Sequence, residues 1–131
     1  MSTTQNTCSV CSREATFSSE ELGRLYSRDH GLRRVEDLEF ADIGSAKALE
    51  SADWLADIIV AVSADGVLQP ILLADSPGGL ELVDGNHRAW VAHRLLLTAP
   101  VHIFDPRCGY CTEEQWREQA MDETEASGWK Y

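Results

Sequence analysis

Two groups of residues have the types and spacing that chemistry needs. The first is Asp84-Gly85-Asn86-His87-Arg88, which follows the alternating stretch Leu80-Glu81-Leu82-Val83 and precedes apolar residues at helical spacing. It falls where a strand enters a helix. A helix N-terminus leaves backbone N–H groups without partners and carries partial positive charge. Gly85 permits a tight turn and a close approach of backbone to ligand. Asn86, His87 and Arg88 add side-chain donors, and an arginine fork grips phosphate oxygens two at a time. Together these groups point to anion binding, phosphate above all. An alternative uses the same residues differently, with Asp84 as a helix cap and Arg88 as a surface residue paired with an acid.

The second group is the full cysteine complement, Cys8-Ser9-Val10-Cys11 and Cys108-Gly109-Tyr110-Cys111. One CxxC turn brings two sulfurs onto a metal, and two turns complete a tetrahedral four-thiolate zinc site. The usual gap between such pairs is about 15–20 residues, whereas here most of the chain intervenes. The expected site is therefore a clasp that ties the N-terminal arm to the loop after the last strand. A four-thiolate site has no open coordination position, so its role is structural. The rival reading is a pair of redox-active CxxC motifs. Neither pair opens a helix after a strand in a thioredoxin-like pattern, and disulfides are disfavoured in the cytoplasm.

Regular elements must position these groups. Ser18 and Glu21 have capping-box spacing and start a helix that should run to about Arg28, before Gly31. Residues 1–17 read as irregular. Leu32 to Phe40 fits a strand or the start of a helix, and periodicity does not choose between them. Leu49, Ala52, Leu55, Ala56, Ile59 and Val60 recur at three- and four-residue spacing, so Ser45 to Ala64 reads as a helix ended by Asp65-Gly66. Strands are expected at Leu68–Ala74 and Leu80–Val83, antiparallel across the Ser76-Pro77-Gly78-Gly79 turn. A helix from Asn86 to Leu97, a strand from Pro100 to Phe104 and a last helix capped by Thr112 with Gln115 follow.

The 131 residues carry a formal net charge of −11. Such a surface repels phosphate backbones and disfavours broad nucleic-acid binding. The charge is uneven, because the arginines cluster between Arg13 and Arg34 and the acids crowd the last 20 residues. That pattern gives either a local basic face or ordinary solvated faces. No apolar run approaches the roughly 18 residues of a membrane span, and the N-terminus lacks a signal pattern, so a cytoplasmic protein is expected. His87 and His93 are six apart and do not share a helix face, while His30 and His102 stand alone. Trp54 and Trp90 read as core residues rather than base-stacking ones. Trp116 and Trp129 read as packed onto the body rather than as a partner surface. Arg33 and Arg34 either reach a bound nucleotide or balance nearby acids.

Gln69-Pro70-Ile71, a Gly-bearing turn, Glu81-Leu82-Val83-Asp84-Gly85-Asn86-His87-Arg88, the helix to Leu97 and Val101-His102-Ile103 resemble the ParB/sulfiredoxin superfamily, including its DGQHR-type members. The resemblance spans roughly residues 52 to 104 and rests on the order strand, DG-x-HR, helix, strand. It implies a nucleotide-phosphate cradle at Gly85, Asn86, His87 and Arg88, with Asp84 shaping the turn and Gln69 beside the pocket. It also implies an acidic catalytic position before the first long helix, which Glu36 and Asp37 would fill. Sulfiredoxins carry a reactive cysteine where this chain has Asn86, so sulfinic-acid reduction is excluded. Partition proteins continue into a helix-turn-helix domain, and the segment after Phe104 is too short for one, so specific DNA binding is not expected.

The resulting expectation is one α/β (α+β) domain, a small mixed sheet flanked by helices, with an N-terminal arm (1–17), a ParB/sulfiredoxin-like body (18–111) and an acidic C-terminal helix and tail (112–131). Its function would be to bind ATP or CTP, with magnesium for any hydrolysis or phosphotransfer to a small molecule or nucleic acid. The alternative is a non-catalytic, zinc-stabilised module that binds another protein.

Overall fold

The Ser18 capping box forms as its spacing requires. Ser18 Oγ accepts from Glu21 N at 3.2 Å, and Glu21 Oε1 accepts from Ser18 N at 3.0 Å. It opens helix α1 (Ser19–Gly23) in a computed structural model that describes residues 10–39, 42–43, 48–126 and 131, with the backbone alone for 48–54 and 124–126. The helix is shorter than expected. Its last turn gives way to strand β2 (Tyr26–Ser27), because these residues pair in parallel with strand β5 (Gly79–Asp84). Tertiary strand pairing has overridden local helix preference here.

Two other sequence expectations change. Residues 12–17 are not irregular but form strand β1 (Ser12–Phe17), antiparallel to strand β6 (Ala99–Phe104). Alternation places Ala15 and Phe17 against the core. The undecided Leu32–Phe40 stretch contains a two-residue strand β3 (Arg33–Arg34) on β2, then a single 3₁₀ turn over Val35–Asp37. The other expected elements appear, and the expected start of the first long helix, at residues 45–47, lies outside the described residues. These elements are helix α2 (Ala48–Asp65), strand β4 (Ile71–Ser76), helix α3 (Asn86–Arg94) and helix α4 (Glu113–Ala126).

The strands form one mixed sheet in the order β1-β6-β4-β5-β2-β3. The β4–β5 hairpin is antiparallel with Leu73 opposite Leu82, as the turn predicts, while β4 runs parallel to β6. Ile71, Leu72, Leu73 and Ala74 are all buried because β4 is covered on both faces. Helices α1, α2 and α3 cover one face, over Ile71, Leu73, Leu82, Val101 and Ile103. Helix α4 covers part of the other through Trp116, which stacks on Phe104 at 5.2 Å and joins Leu72, Ala74 and Val83. No helix among the described residues is long and apolar enough to cross a membrane.

The zinc clasp is corrected in part. Cys11 and Cys108, separated by 97 residues, do meet, with Cα atoms 5.2 Å apart, but they are joined as a disulfide. A disulfide sulfur has no thiolate charge to give a metal. No group of three His, Cys, Asp or Glu side chains gathers to hold a metal among the described residues. Cys111 packs in the same cluster, and Cys8 lies outside the described residues. The segment before β1 and the loop after β6 are thus tied by a covalent bond rather than a metal.

Candidate phosphate-binding corner

Strand β5 delivers Asp84 at its end, and Gly85 turns the chain into α3 with φ +97°. An L side chain rarely adopts that conformation. A Cβ at Gly85 would also lie 2.9 Å from Arg88 Nη2 and 3.4 Å from Ile71 Cγ1 and Cγ2. The absence of a side chain therefore lets the Arg88 guanidinium lie directly over the helix start. No side chain caps α3, so its first N–H groups point outward without intrahelical partners.

Arg88 folds back along its own helix. Its Nη1 donates to the Gln69 carbonyl at 2.7 Å and to the Pro70 carbonyl at 3.5 Å. The structure thus joins Gln69 to the corner through its backbone carbonyl. Arg88 makes no ion pair with a carboxylate among the described residues. Burial pulls the Arg88 pKa below its ordinary value, and the field of Asp84 opposes that shift. A guanidinium stays charged under such a shift, so a largely desolvated cation sits beside the positive end of a helix.

Asn86 and His87 are placed at the corner but are turned inward. Asn86 is 8% exposed. Its Oδ1 accepts from Ser27 Oγ at 2.6 Å, and its Nδ2 donates to Asp29 Oδ2 at 3.1 Å. Ser27 is fully buried and lies 2.8 Å from His30 Nδ1, while His30 Nε2 lies 3.1 Å from the Asp42 carbonyl. His87 Nε2 donates to the Ile43 carbonyl at 3.1 Å. Burial lowers the His87 pKa, against the raising effect of that carbonyl and of Asp29 and Asp84. His87 is therefore a neutral donor at neutral pH rather than a cation.

Sequence reasoning missed Ser27, Asp29 and His30, which orient Asn86. Their signal was the Ser-Arg-Asp-His cluster before Gly31, but nothing local shows that β2 pairs with β5 and carries this cluster beside α3. Glu36 and Asp37 lie on the exposed 3₁₀ turn, where Glu36 pairs with Arg34 at 3.9 Å. Neither makes a hydrogen bond or ion pair with residues 84–88 among the described residues. Arg33 pairs with Asp42 at 3.1 Å, and Arg34 donates to the Tyr26 hydroxyl at 3.3 Å.

The remaining aromatic and histidine residues fall mostly into structural places. Trp90 is buried and donates to the Leu38 carbonyl at 2.9 Å, under the Arg94 guanidinium at 5.1 Å. His93 Nδ1 lies 2.8 Å from the Ser19 carbonyl oxygen, and His102 Nε2 lies 3.4 Å from Glu14. The Trp54 side chain and Trp129 lie outside the described residues.

No family model matches the chain, and no curated protein matches it. Solved structures align with it, among them two from ParB proteins. The C-terminally truncated chromosome-partitioning protein ParB from Caulobacter crescentus, complexed with CTP-gamma-S, is 26% identical with a TM-score of 0.46, over 86% of this chain and 52% of that one. A Pnob8-like ParB-N domain is 14% identical with a TM-score of 0.47, over 88% of this chain and 37% of that one. The chain spans about half or less of the length of the structures it matches. At these TM-scores the likeness does not by itself decide what this chain binds.

Proposed function

We propose that the corner between β5 and α3 binds the phosphate groups of a nucleoside triphosphate, ATP or CTP. One observation carries this reading. A largely desolvated Arg88 guanidinium, without a carboxylate partner among the described residues, is laid over Gly85 and the uncapped start of α3. A cation withdrawn from water is costly unless an anion meets it, and helix N–H groups aimed at the same point favour the same anion. In this reading the donors are the backbone amides of Asn86, His87 and Arg88 and the edge of Arg88 away from Gln69. The Asn86 and His87 side chains hold the corner in shape, and the field of Asp84 offsets part of the cost of burying the Arg88 charge.

Hydrolysis or phosphotransfer would further require magnesium and a base near the acceptor. Glu36 and Asp37 are the carboxylates assigned to that role by family resemblance. Thermal melts with ATP, CTP, GTP and ADP, each with magnesium, test the binding. We expect stabilisation by at least one nucleotide and its loss in Arg88→Ala. Stabilisation without phosphate release would leave a nucleotide-gated binding module. No shift with any nucleotide would remove the phosphate reading and leave the protein-binding module.

The cysteines support a second, separate proposal. The fold brings Cys108 to Cys11 and packs Cys111 in the same cluster. Reduced, these three cysteines together with Cys8 would supply the four thiolates that zinc prefers. Metal analysis of protein purified under thiol should then give about one zinc per chain, with four thiols released on chelation. A zinc content near zero leaves the disulfide alone as the clasp.

A further inference from the structure

Behind the phosphate corner, four hydrogen bonds run in series through Asp29, Asn86, Ser27, His30 and Asp42. Asn86 Nδ2 donates to Asp29 Oδ2, and Ser27 Oγ donates to Asn86 Oδ1. The same Oγ lies 2.8 Å from His30 Nδ1, and His30 Nε2 lies 3.1 Å from the Asp42 carbonyl oxygen. The series joins β2, the 3₁₀ turn Arg28–His30 and the start of α3 to Asp42, which precedes α2 in the chain.

The hydrogens in this series can be counted. A hydroxyl has one hydrogen, and Ser27 gives it to Asn86, so Ser27 Oγ accepts from His30 Nδ1–H. A carbonyl oxygen only accepts, so His30 Nε2 carries a hydrogen as well. Both ring nitrogens are then protonated, and the ring is a cation. Turning the Asn86 amide over does not change the count, because its oxygen would face Asp29 and require a hydrogen there. An imidazole ordinarily holds a proton more tightly than a carboxylate, so the extra proton belongs to His30.

The charges around the ring are mixed. Asp29 shares its turn, as does Arg28, which is taken up by Glu81 and Glu113. The Asp42 carboxylate is held below its usual range by the Glu39 N–H first, then by Arg33, and also by His30. Arg33 of β3 pairs with Asp42. His87 of α3 feels the His30 charge in addition to its own burial, and Asp84 of β5 opposes both.

Loss of the extra proton breaks one bond of the series. Ser27 is fully buried and Asn86 is 8% exposed, so water does not replace a bond between them. Asp42 is only half-buried, so its bond is the one to yield. Neutral His30 keeps Nδ1–H on Ser27 and lets the Asp42 carbonyl go. The next carbonyl, Ile43, is held by His87 Nε2 at 3.1 Å. Deprotonation therefore opens one of two imidazole fastenings on Asp42-Ile43 and removes a positive charge two hydrogen bonds away from Asn86, the first residue of α3.

We infer that His30 is a proton latch that regulates the corner: protonated, it fastens Asp42 and favours an anion at the start of α3; deprotonated, it releases Asp42 and weakens that binding. The regulation rests on the phosphate reading above, whereas the latch does not.

The test has two arms on the ¹⁵N-labelled full chain. The first follows the His30 ring nitrogens and the Ile43 amide, which shares a peptide group with the Asp42 carbonyl, by NMR from about pH 5.5 to 8.5. It needs no variant. Neutral His30 should be the Nδ1–H tautomer, and the Ile43 amide should move with the His30 midpoint. An Nε2–H tautomer, or an Ile43 amide that ignores the titration, overturns the latch. The second arm titrates sulfate, whose charge is constant over this range, at both ends of it, read at the amides of residues 85–88. Affinity should fall by about two- to fivefold on opening the latch, beyond any fall seen in His30→Gln, which retains His87. An equal fall in parent and variant overturns the regulation. No sulfate shift at either end removes the regulation whatever the latch does, while the nucleotide melts judge the phosphate reading on their own.

Discussion

Gly85→Ala tests the geometry of the corner most directly. Two costs add at this position. An L residue at φ +97° pays about 1–2 kcal/mol of backbone strain. The new methyl would also meet Arg88 Nη2 at 2.9 Å and push the guanidinium off the Gln69 carbonyl, loosening a charged hydrogen bond with a net contribution of about 1.5–3 kcal/mol. Partial relaxation brings the expected total to about 2–4 kcal/mol. For a chain of this size each kcal/mol lowers Tm by about 3–5 °C. Gly66→Ala is the internal control, because Gly66 has φ +76° but an added methyl would meet nothing within 4 Å. It should lose about 1 kcal/mol through strain alone. Urea unfolding of the parent, both single variants and Gly85→Ala with Arg88→Ala would separate the two costs. In the Arg88→Ala background the Gly85 penalty should fall toward that of Gly66. If Gly85→Ala costs no more than Gly66→Ala, the guanidinium is not seated over the helix start, and the phosphate corner loses its basis.

Four further outcomes follow from the same contacts. Ser27→Ala strips Asn86 Oδ1 and His30 Nδ1 of a shared buried partner and should cost about 1–3 kcal/mol in chemical denaturation. Gly23→Ala would bring a methyl to 2.5 Å from the His93 ring, forcing α1 and α3 apart; the expected loss is about 1–3 kcal/mol, largely relieved in Gly23→Ala with His93→Ala. His87 has a pKa below its ordinary 6.5 in the folded chain. The unfolded state therefore binds more protons between the two values, so stability is full above about pH 6.5 and falls as pH drops through that window; His87→Gln should flatten this slope in melts at pH 5 to 8. Cys108→Ser opens a 97-residue closure and should cost about 2–5 kcal/mol in non-reducing unfolding, with the Cys11–Cys108 peptide lost from non-reducing mass maps.

The local devices were legible in the chain itself. Ser18 with Glu21 and Thr112 with Gln115 each formed a reciprocal cap, because a capping box needs only four consecutive residues. The Asp84-Gly85 turn, the hairpin before it and the helix after it were equally readable, since strand and helix periods differ and glycine marks positive φ. What local order could not reveal was long-range pairing. Ser12–Phe17 has weak alternation and becomes a strand only because β6 offers it an edge. Tyr26–Ser27 leaves the helical path because β5 accepts it in parallel. That one pairing also brings Ser27, Asp29 and His30 to Asn86, and turns its amide inward rather than toward a ligand. The sequence thus determined which residues stand at the corner and that a glycine must precede them. Only the tertiary structure decided which of them are taken up by internal hydrogen bonds, because each such bond joins segments tens of residues apart and repays its ordering cost only once the sheet has assembled.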